Sequence, residues 1–213
     1  MTTLILVRHG ESQANGKGIF AGHTDYDLTE TGFKQAKLTA LALTQKFNID
    51  EIYSSDLKRA YNTGLETANI LGLKIKKSEK LREIFAGRWE NVLFNDLQML
   101  FKDDYDKWLL DIGNACCTDG ETVQELGERI YSEVLNIAKE NDGKTVLITT
   151  HATPIRVLMC LVKNKPLSQM AAIPWVTNAS YTVLEYDGNG FKLVLAGESS
   201  HLKDLNTPMP KNV

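Results

Sequence analysis

Positive charge in excess is the first thing this 213-residue sequence lacks, with 24 Lys and Arg set against 27 Asp and Glu for a formal net charge of −3. No face is promised the cations that grip many nucleic-acid phosphates, so a nucleic-acid partner is not expected. Long hydrophobic runs are missing as well. The aliphatic stretch at residues 4–7 meets charge at once, and residues 157–162 are also far short of the roughly 20 that a membrane helix needs. No membrane partner and a cytoplasmic location are the expectations. Cysteine is scarce: Cys116 and Cys117 are adjacent and Cys160 is alone, a set with neither metal-ligand spacing nor a Cys-x-x-Cys pair, which reads as free thiols. Neither Gly-x-x-x-x-Gly-Lys nor Gly-x-Gly-x-x-Gly follows the first strand, which lowers the case for a nucleotide or dinucleotide, and His23 and His201 show no ligand spacing. Neither a metal nor a cofactor is expected.

What is present is enough apolar sequence, 43%, for one sizeable core, and a single domain over residues 1–213 is expected. Residues 3–7 and 145–149 are continuous aliphatic runs of the kind found in strands buried on both faces, and residues 49–53 are a shorter one. Between the first two strands, residues 10–28 carry Gly10, Gly16, Gly18 and Gly22 among small polar groups and read as a loop. Thr29 can cap a helix whose Phe33, Ala36, Ala40, Leu43 and Phe47 share a face. Ser55 or Asp56 can cap the next, which presents Leu57, Tyr61, Gly64, Ala68 and Leu71 and stops at Gly72. Residues 121–140 hold the clearest helical stripe, Val123, Leu126, Ile130, Val134 and Ile137, and Pro154 suits the first turn of another helix. Asp187 to Gly190 marks the turn of a closing hairpin. The stretch 84–120 mixes aromatic and acidic residues as short helices covering a site would. The order predicts a three-layer α/β sandwich, its central sheet mostly parallel with helices on both faces.

In such a fold ligands collect beyond the carboxyl edges of the strands. His9 with Arg8, the segment 54–59 ending in Arg59, and His151 all fall there. Two of four histidines and two arginines at one edge of an acidic chain make an anion site, since a guanidinium fork matches two phosphate oxygens and helix-start amides add partial charge. The nucleophile on offer is an imidazole. Its unprotonated nitrogen attacks phosphorus when the other donates to a carbonyl, cationic groups hold the equatorial oxygens, and a carboxylic acid protonates the leaving alkoxide.

The segments "LVRHGES", "SSDLKRAYNTG", "LREIFAGRWE" and "THATPIR", in that order, resemble the histidine phosphatase superfamily in its phosphoglycerate-mutase-like branch. The resemblance implies the phosphoglycerate-mutase-like fold, His9 as the nucleophile that becomes phosphohistidine, Arg8, Arg59 and His151 as the phosphate clamp, and Glu83 as the proton donor. Asn15 and Thr24 match pocket residues. Ala152 stands where the branch usually has Gly after the second histidine, leaving a backbone amide for phosphate at less close approach, and Asn91 stands where a Gly often ends the Trp89-Glu90 signature.

The expected activity is therefore a metal-independent phosphomonoesterase acting on a small phosphorylated metabolite. The alternative is a cofactor-dependent phosphoglycerate mutase, and a non-catalytic phosphate-binding module is a minor one. Mutases bring arginines between the acid and the second histidine, whereas residues 89–128 here have no Arg but many acids, among them Asp96, Asp103, Asp104, Asp106 and Asp111. An acidic lid is a poor counter-charge for a second anionic group, which favours water as acceptor. Trp108, Leu109, Leu110 and Ile112 suit either that lid or the face of a homodimer.

Overall fold

Strand β1 (Thr2–Arg8) decides the layers. Leu4 and Leu6 enter one hydrophobic cluster and Ile5 and Val7 another, because successive strand side chains face opposite sides of a sheet. Covered on both faces, β1 can be aliphatic throughout, and so can β4 (Thr145–Thr150), which runs parallel to it from Thr3 opposite Thr145 to Arg8 opposite Thr150. The computed structural model describes residues 1–207. In it β2 (Glu51–Ser54) and β3 (Ile75–Lys77) extend the parallel half beyond β4, while β5 (Tyr181–Tyr186) and β6 (Phe191–Glu198) add antiparallel strands on the other side of β1. The sheet order is β3-β2-β4-β1-β5-β6.

Helices α2 (Glu30–Lys46) and α3 (Lys58–Leu71) cover one face, where Leu43 and Ala68 meet Ile5, Val7 and Leu147. Helices α6 (Val123–Glu140) and α7 (Ala152–Leu161) cover the other. This is a three-layer α/β sandwich around a mixed sheet. The α6 stripe is buried as its spacing requires, and Thr122 and Glu125 close a reciprocal capping box at its start. Residues 84–120 form α4 (Phe94–Leu100), α5 (Lys102–Leu110) and short 3-10 turns. Their Trp89, Leu97, Tyr105, Trp108 and Ile112 belong to the larger cluster, so this stretch is walled into the core, while Leu110 is 81% exposed.

Three local features depart from the sequence pattern. The segment read as a loop contains a short helix, α1 (Gln13–Lys17), held by reciprocal capping between Ser12 and Asn15. Phe33 is exposed, because the buried face of α2 is offset onto Gln35 and Thr39: Gln35 accepts the Glu11 N–H at 2.7 Å and Thr39 Oγ1 reaches the Ala179 carbonyl at 2.9 Å. Neither Ser55 nor Asp56 caps α3, whose N-cap is Leu57. Asp25 Oδ1 instead accepts the Lys58 N–H at 2.7 Å, leaving Ser55 Oγ beside a histidine. Among the described residues no helix is long and apolar enough to cross a membrane.

Candidate active site

Adjacent strands β1 and β4 carry Arg8 and Thr150 as register partners, so the residues that follow them, His9 and His151, emerge side by side. Their rings stand edge to face, centroids 5.2 Å apart at 63°. The His9 backbone N–H donates to the Thr150 carbonyl at 3.0 Å. Its ring Nδ1 lies 2.7 Å from the Gly10 carbonyl. A carbonyl only accepts, so Nδ1 carries the proton and the lone pair is left on Nε2. Gly10 and Glu11 then turn tightly over the first turn of α2, where a Cβ on Gly32 would sit 2.0 Å from the Glu11 carbonyl oxygen. Burial, and then the charges of Arg59 and Arg8, push the His9 pKa well below 6.5. Burial first, then Arg59 and His9, do the same to His151. Both imidazoles are neutral at physiological pH. His151 Nε2 is 2.9 Å from Ser55 Oγ, and its Nδ1 has no hydrogen-bond partner among the described residues.

The two arginines are nearly as deeply placed. Arg8 donates from Nη1 to the Val176 carbonyl at 2.6 Å, and Arg59 from Nη1 and Nη2 to the Thr24 and Gly22 carbonyls at 2.9 and 2.7 Å. Burial lowers each guanidinium to a pKa of about 10, against the opposing pull of Glu83, so both remain cations. Thr24 thus contributes its carbonyl. Its hydroxyl turns away to Glu90 Oε2 at 2.7 Å, and it does not line the pocket.

Glu90 ties the segment together, its Oε1 accepting the His23 N–H at 2.9 Å. Asn91 follows with φ +67°, the left-handed region where glycine is easiest and asparagine next, so the asparagine meets the backbone demand that a glycine would meet here. Ala152 has no such demand. It opens α7 beside the pocket with its backbone in the helix, and no glycine is needed there.

Glu83 reaches the same pocket from the segment before α4. Its Oε1 accepts the Ile84 N–H at 2.9 Å and its Oε2 faces the Thr153 N–H at 3.4 Å. Its own carbonyl is fixed by Arg129 Nη2 at 3.2 Å and by His23 Nε2 at 2.9 Å. Arg8, His9, Asn15, Arg59, Glu83 and Ala152 all line one pocket, and His151 is fully buried beside His9. Asn15 is held by Asn178, whose Nδ2 also reaches the His9 carbonyl. The rest of the wall mixes Ser12 and Thr153 with the aromatic rings of Phe20, Phe94, Trp108 and Trp175, none of them a site residue expected from the sequence. Among the described residues no three His, Cys, Asp or Glu side chains gather so as to hold a metal ion.

Residues 4–199 match the family described as "Histidine phosphatase superfamily (branch 1)". Phosphoserine phosphatase 1 of Hydrogenobacter thermophilus is 34% identical over 205 residues, 96% of each chain. The structure of Bacillus stearothermophilus YhfR superposes with a TM-score of 0.90 at 30% identity, over 95% of this chain and 100% of that one. Phosphoserine phosphatase of Entamoeba histolytica, solved in complex with 3-phosphoglyceric acid, gives 0.84 at 27%, over 95% and 100%. An imidazole pair between buried arginines, on this fold and with this match along almost the whole sequence, means that the chain belongs to branch 1 of the histidine phosphatase superfamily.

Proposed function

We propose that the chain is a metal-independent phosphomonoesterase that transfers the phosphoryl group of a small metabolite first to His9 and then to water. The observation that carries this reading is the His9 tautomer: Nδ1–H is committed to the Gly10 carbonyl, and burial beside two guanidinium groups keeps the ring unprotonated. The Nε2 lone pair attacks phosphorus as the ester P–O bond breaks, and Glu83 protonates the departing alkoxide. Arg8, Arg59 and His151 take the equatorial oxygens, with the amides at the start of α7. In the second half a water attacks the phosphohistidine, gives its proton to Glu83 and returns the electron pair to Nε2. Several relatives named as phosphatases support this class of reaction.

The acids of the stretch 84–120 give no preference for water as acceptor. Asp96, Asp103, Asp104, Asp106 and Asp111 do not line the pocket, because α4 and α5 turn Phe94 and Trp108 inward. Water as acceptor rests instead on the relatives that are named as phosphatases. Rapid quenching with a labelled phosphomonoester should trap an acid-labile, base-stable adduct on His9 that is missing in His9→Ala, with inorganic phosphate released in the steady state. The same adduct in His9→Ala overturns the nucleophile. Fast interconversion of phosphoglycerates primed by bisphosphoglycerate, with almost no phosphate released, overturns hydrolysis.

A further inference from the structure

The His9 tautomer depends on one peptide plane, and that plane has two ends. The Gly10 carbonyl faces His9 Nδ1 at 2.7 Å. At the other end of the same Gly10–Glu11 peptide the N–H donates to Gln35 Oε1, also at 2.7 Å. Gln35 is fully buried on α2 and does not line the reaction pocket. Its amide fits only one way round: Nε2 lies 2.7 Å from the Leu205 carbonyl, which only accepts, and 3.3 Å from Thr207 Oγ1, so Oε1 faces the Glu11 N–H. A chain of hydrogen bonds therefore runs from residues 205–207 through the Gln35 amide and the Gly10–Glu11 peptide to the ring of His9.

Residue 10 makes the far end of that peptide matter. A Cβ on Gly10 would sit 2.6 Å from the Gly32 carbonyl oxygen, so the turn packs on α2 too closely for any side chain. Glycine also leaves the peptide that follows it the freest to turn over. The preceding peptide is held at both ends without the ring, its N–H by Thr63 Oγ1 at 3.0 Å and its carbonyl by Asn178 Nδ2 at 3.1 Å. Turned over, the Gly10–Glu11 peptide would aim its N–H at His9 Nδ1. That nitrogen could then only accept, the ring proton would pass to Nε2, and no lone pair would be left there for phosphorus.

We propose that Gln35 is a positioning residue for the nucleophile: by holding the Glu11 N–H it keeps the Gly10 carbonyl on His9 Nδ1 and so fixes the tautomer that leaves Nε2 free. The inference rests on the reading of His9 as the phosphoryl acceptor. Donation to Gln35 also polarises the peptide and makes its carbonyl a stronger acceptor, which steadies the ring as it gains positive character on bonding to phosphorus.

Gln35→Met keeps the length of the side chain and removes both polar atoms. Nitrogen-15 NMR of the resting protein should show the His9 proton on Nδ1 alone in wild type and a mixture of the two tautomers in Gln35→Met. Rapid quenching with a labelled phosphomonoester should give an adduct that forms about fivefold more slowly in the variant, as for the loss of one neutral hydrogen bond. The calorimetric Kd for propylphosphonate, which fills the pocket without being attacked, should meanwhile stay unchanged. Gln35→Glu retains an oxygen for the Glu11 N–H and, as the neutral acid that burial favours, a hydroxyl for the Leu205 carbonyl, and should restore the single tautomer and most of the rate. Where methionine prevents folding, Gln35→Asn, one methylene too short to reach the Glu11 N–H, takes its place with the same expectations. A single Nδ1–H tautomer in the variant, an unchanged rate of adduct formation, or a loss of rate matched by an equal loss of propylphosphonate affinity overturns the proposal in favour of a purely structural amide. If wild type forms no adduct while the tautomer still follows the residue at position 35, the reading of His9 as phosphoryl acceptor falls and the role of Gln35 in setting the tautomer stands.

Discussion

Ser55 Oγ lies 2.9 Å from His151 Nε2, so the end of β2 orients the imidazole delivered by the end of β4. The contact exists because Asp25, not Ser55, caps α3. Ser55→Ala removes one hydrogen bond to a neutral ring that steadies phosphate charge, worth about 1 kcal/mol. The expected result is a kcat about fivefold lower with a modest fall in melting temperature, because the buried Ser55 Oγ also faces the Leu57 N–H at 3.4 Å, read by steady-state assay and thermal denaturation together.

Acid should weaken the fold before it protonates most carboxylates. His9 and His151 have native pKa values well below 6.5, so as pH falls through 6.5 the unfolded chain takes up protons that the native one refuses. More protons on the unfolded side means that stability is full above pH 6.5 and is lost progressively below it, with a slope of up to about 1.4 kcal/mol per pH unit for each imidazole. Urea midpoints across this window measure the slope, and His151→Gln should flatten it. A midpoint in wild type that does not change between neutral and mildly acidic pH contradicts the burial of these rings as neutral groups.

Glu83→Gln keeps the acceptor for the Ile84 N–H while removing the acidic proton. Alkyl phosphates, whose leaving oxygen needs that proton, should slow by about a hundredfold or more, and p-nitrophenyl phosphate much less. Equal slowing of both substrates assigns Glu83 to shaping the pocket.

The left-handed backbone at Asn91 gives a pairwise test that does not involve catalysis. Asn91→Ala and Asn91→Gly both lose the side-chain bonds to Tyr26 and Thr24, but only alanine keeps the strain of a Cβ at φ +67°. The alanine protein should be less stable by about 1 kcal/mol, measured by urea unfolding.

Much of the sandwich and the main site residues was legible in the sequence, for identifiable reasons. β1 and β4 announce themselves because burial on both faces demands unbroken aliphatic runs. Strand β3 does not, since Ile75-Lys76-Lys77 is an edge of three residues with two lysines and has no hydrophobic pattern to read. The first short helix was hidden by Gly16; the spacing of Ser12 and Asn15 was its only signal. Phe33 misled because polar Gln35 and Thr39 earn their burial through distant partners that periodicity cannot see. In the site, His9, Arg8, Arg59 and His151 were visible at strand ends, and Glu83 came only from the family resemblance. Asn178 and Trp175 carried no local signal, because what gives them meaning is a pocket assembled from segments far apart in the chain.

The native state holds Arg59 as a cation with little water around it, and the carboxylates of Glu83, Asp25 and Glu90 offset only part of the cost of its burial. A bound oxyanion supplies the missing charge and thereby becomes a ligand of the fold as well as of the reaction. Anything that binds only the folded form raises its stability by mass action, by about 2.7 kcal/mol at a hundred times its dissociation constant. Inorganic phosphate, the product, should accordingly slow heat inactivation and proteolysis while it inhibits turnover, so that the concentration that protects the protein and the concentration that blocks it are the same.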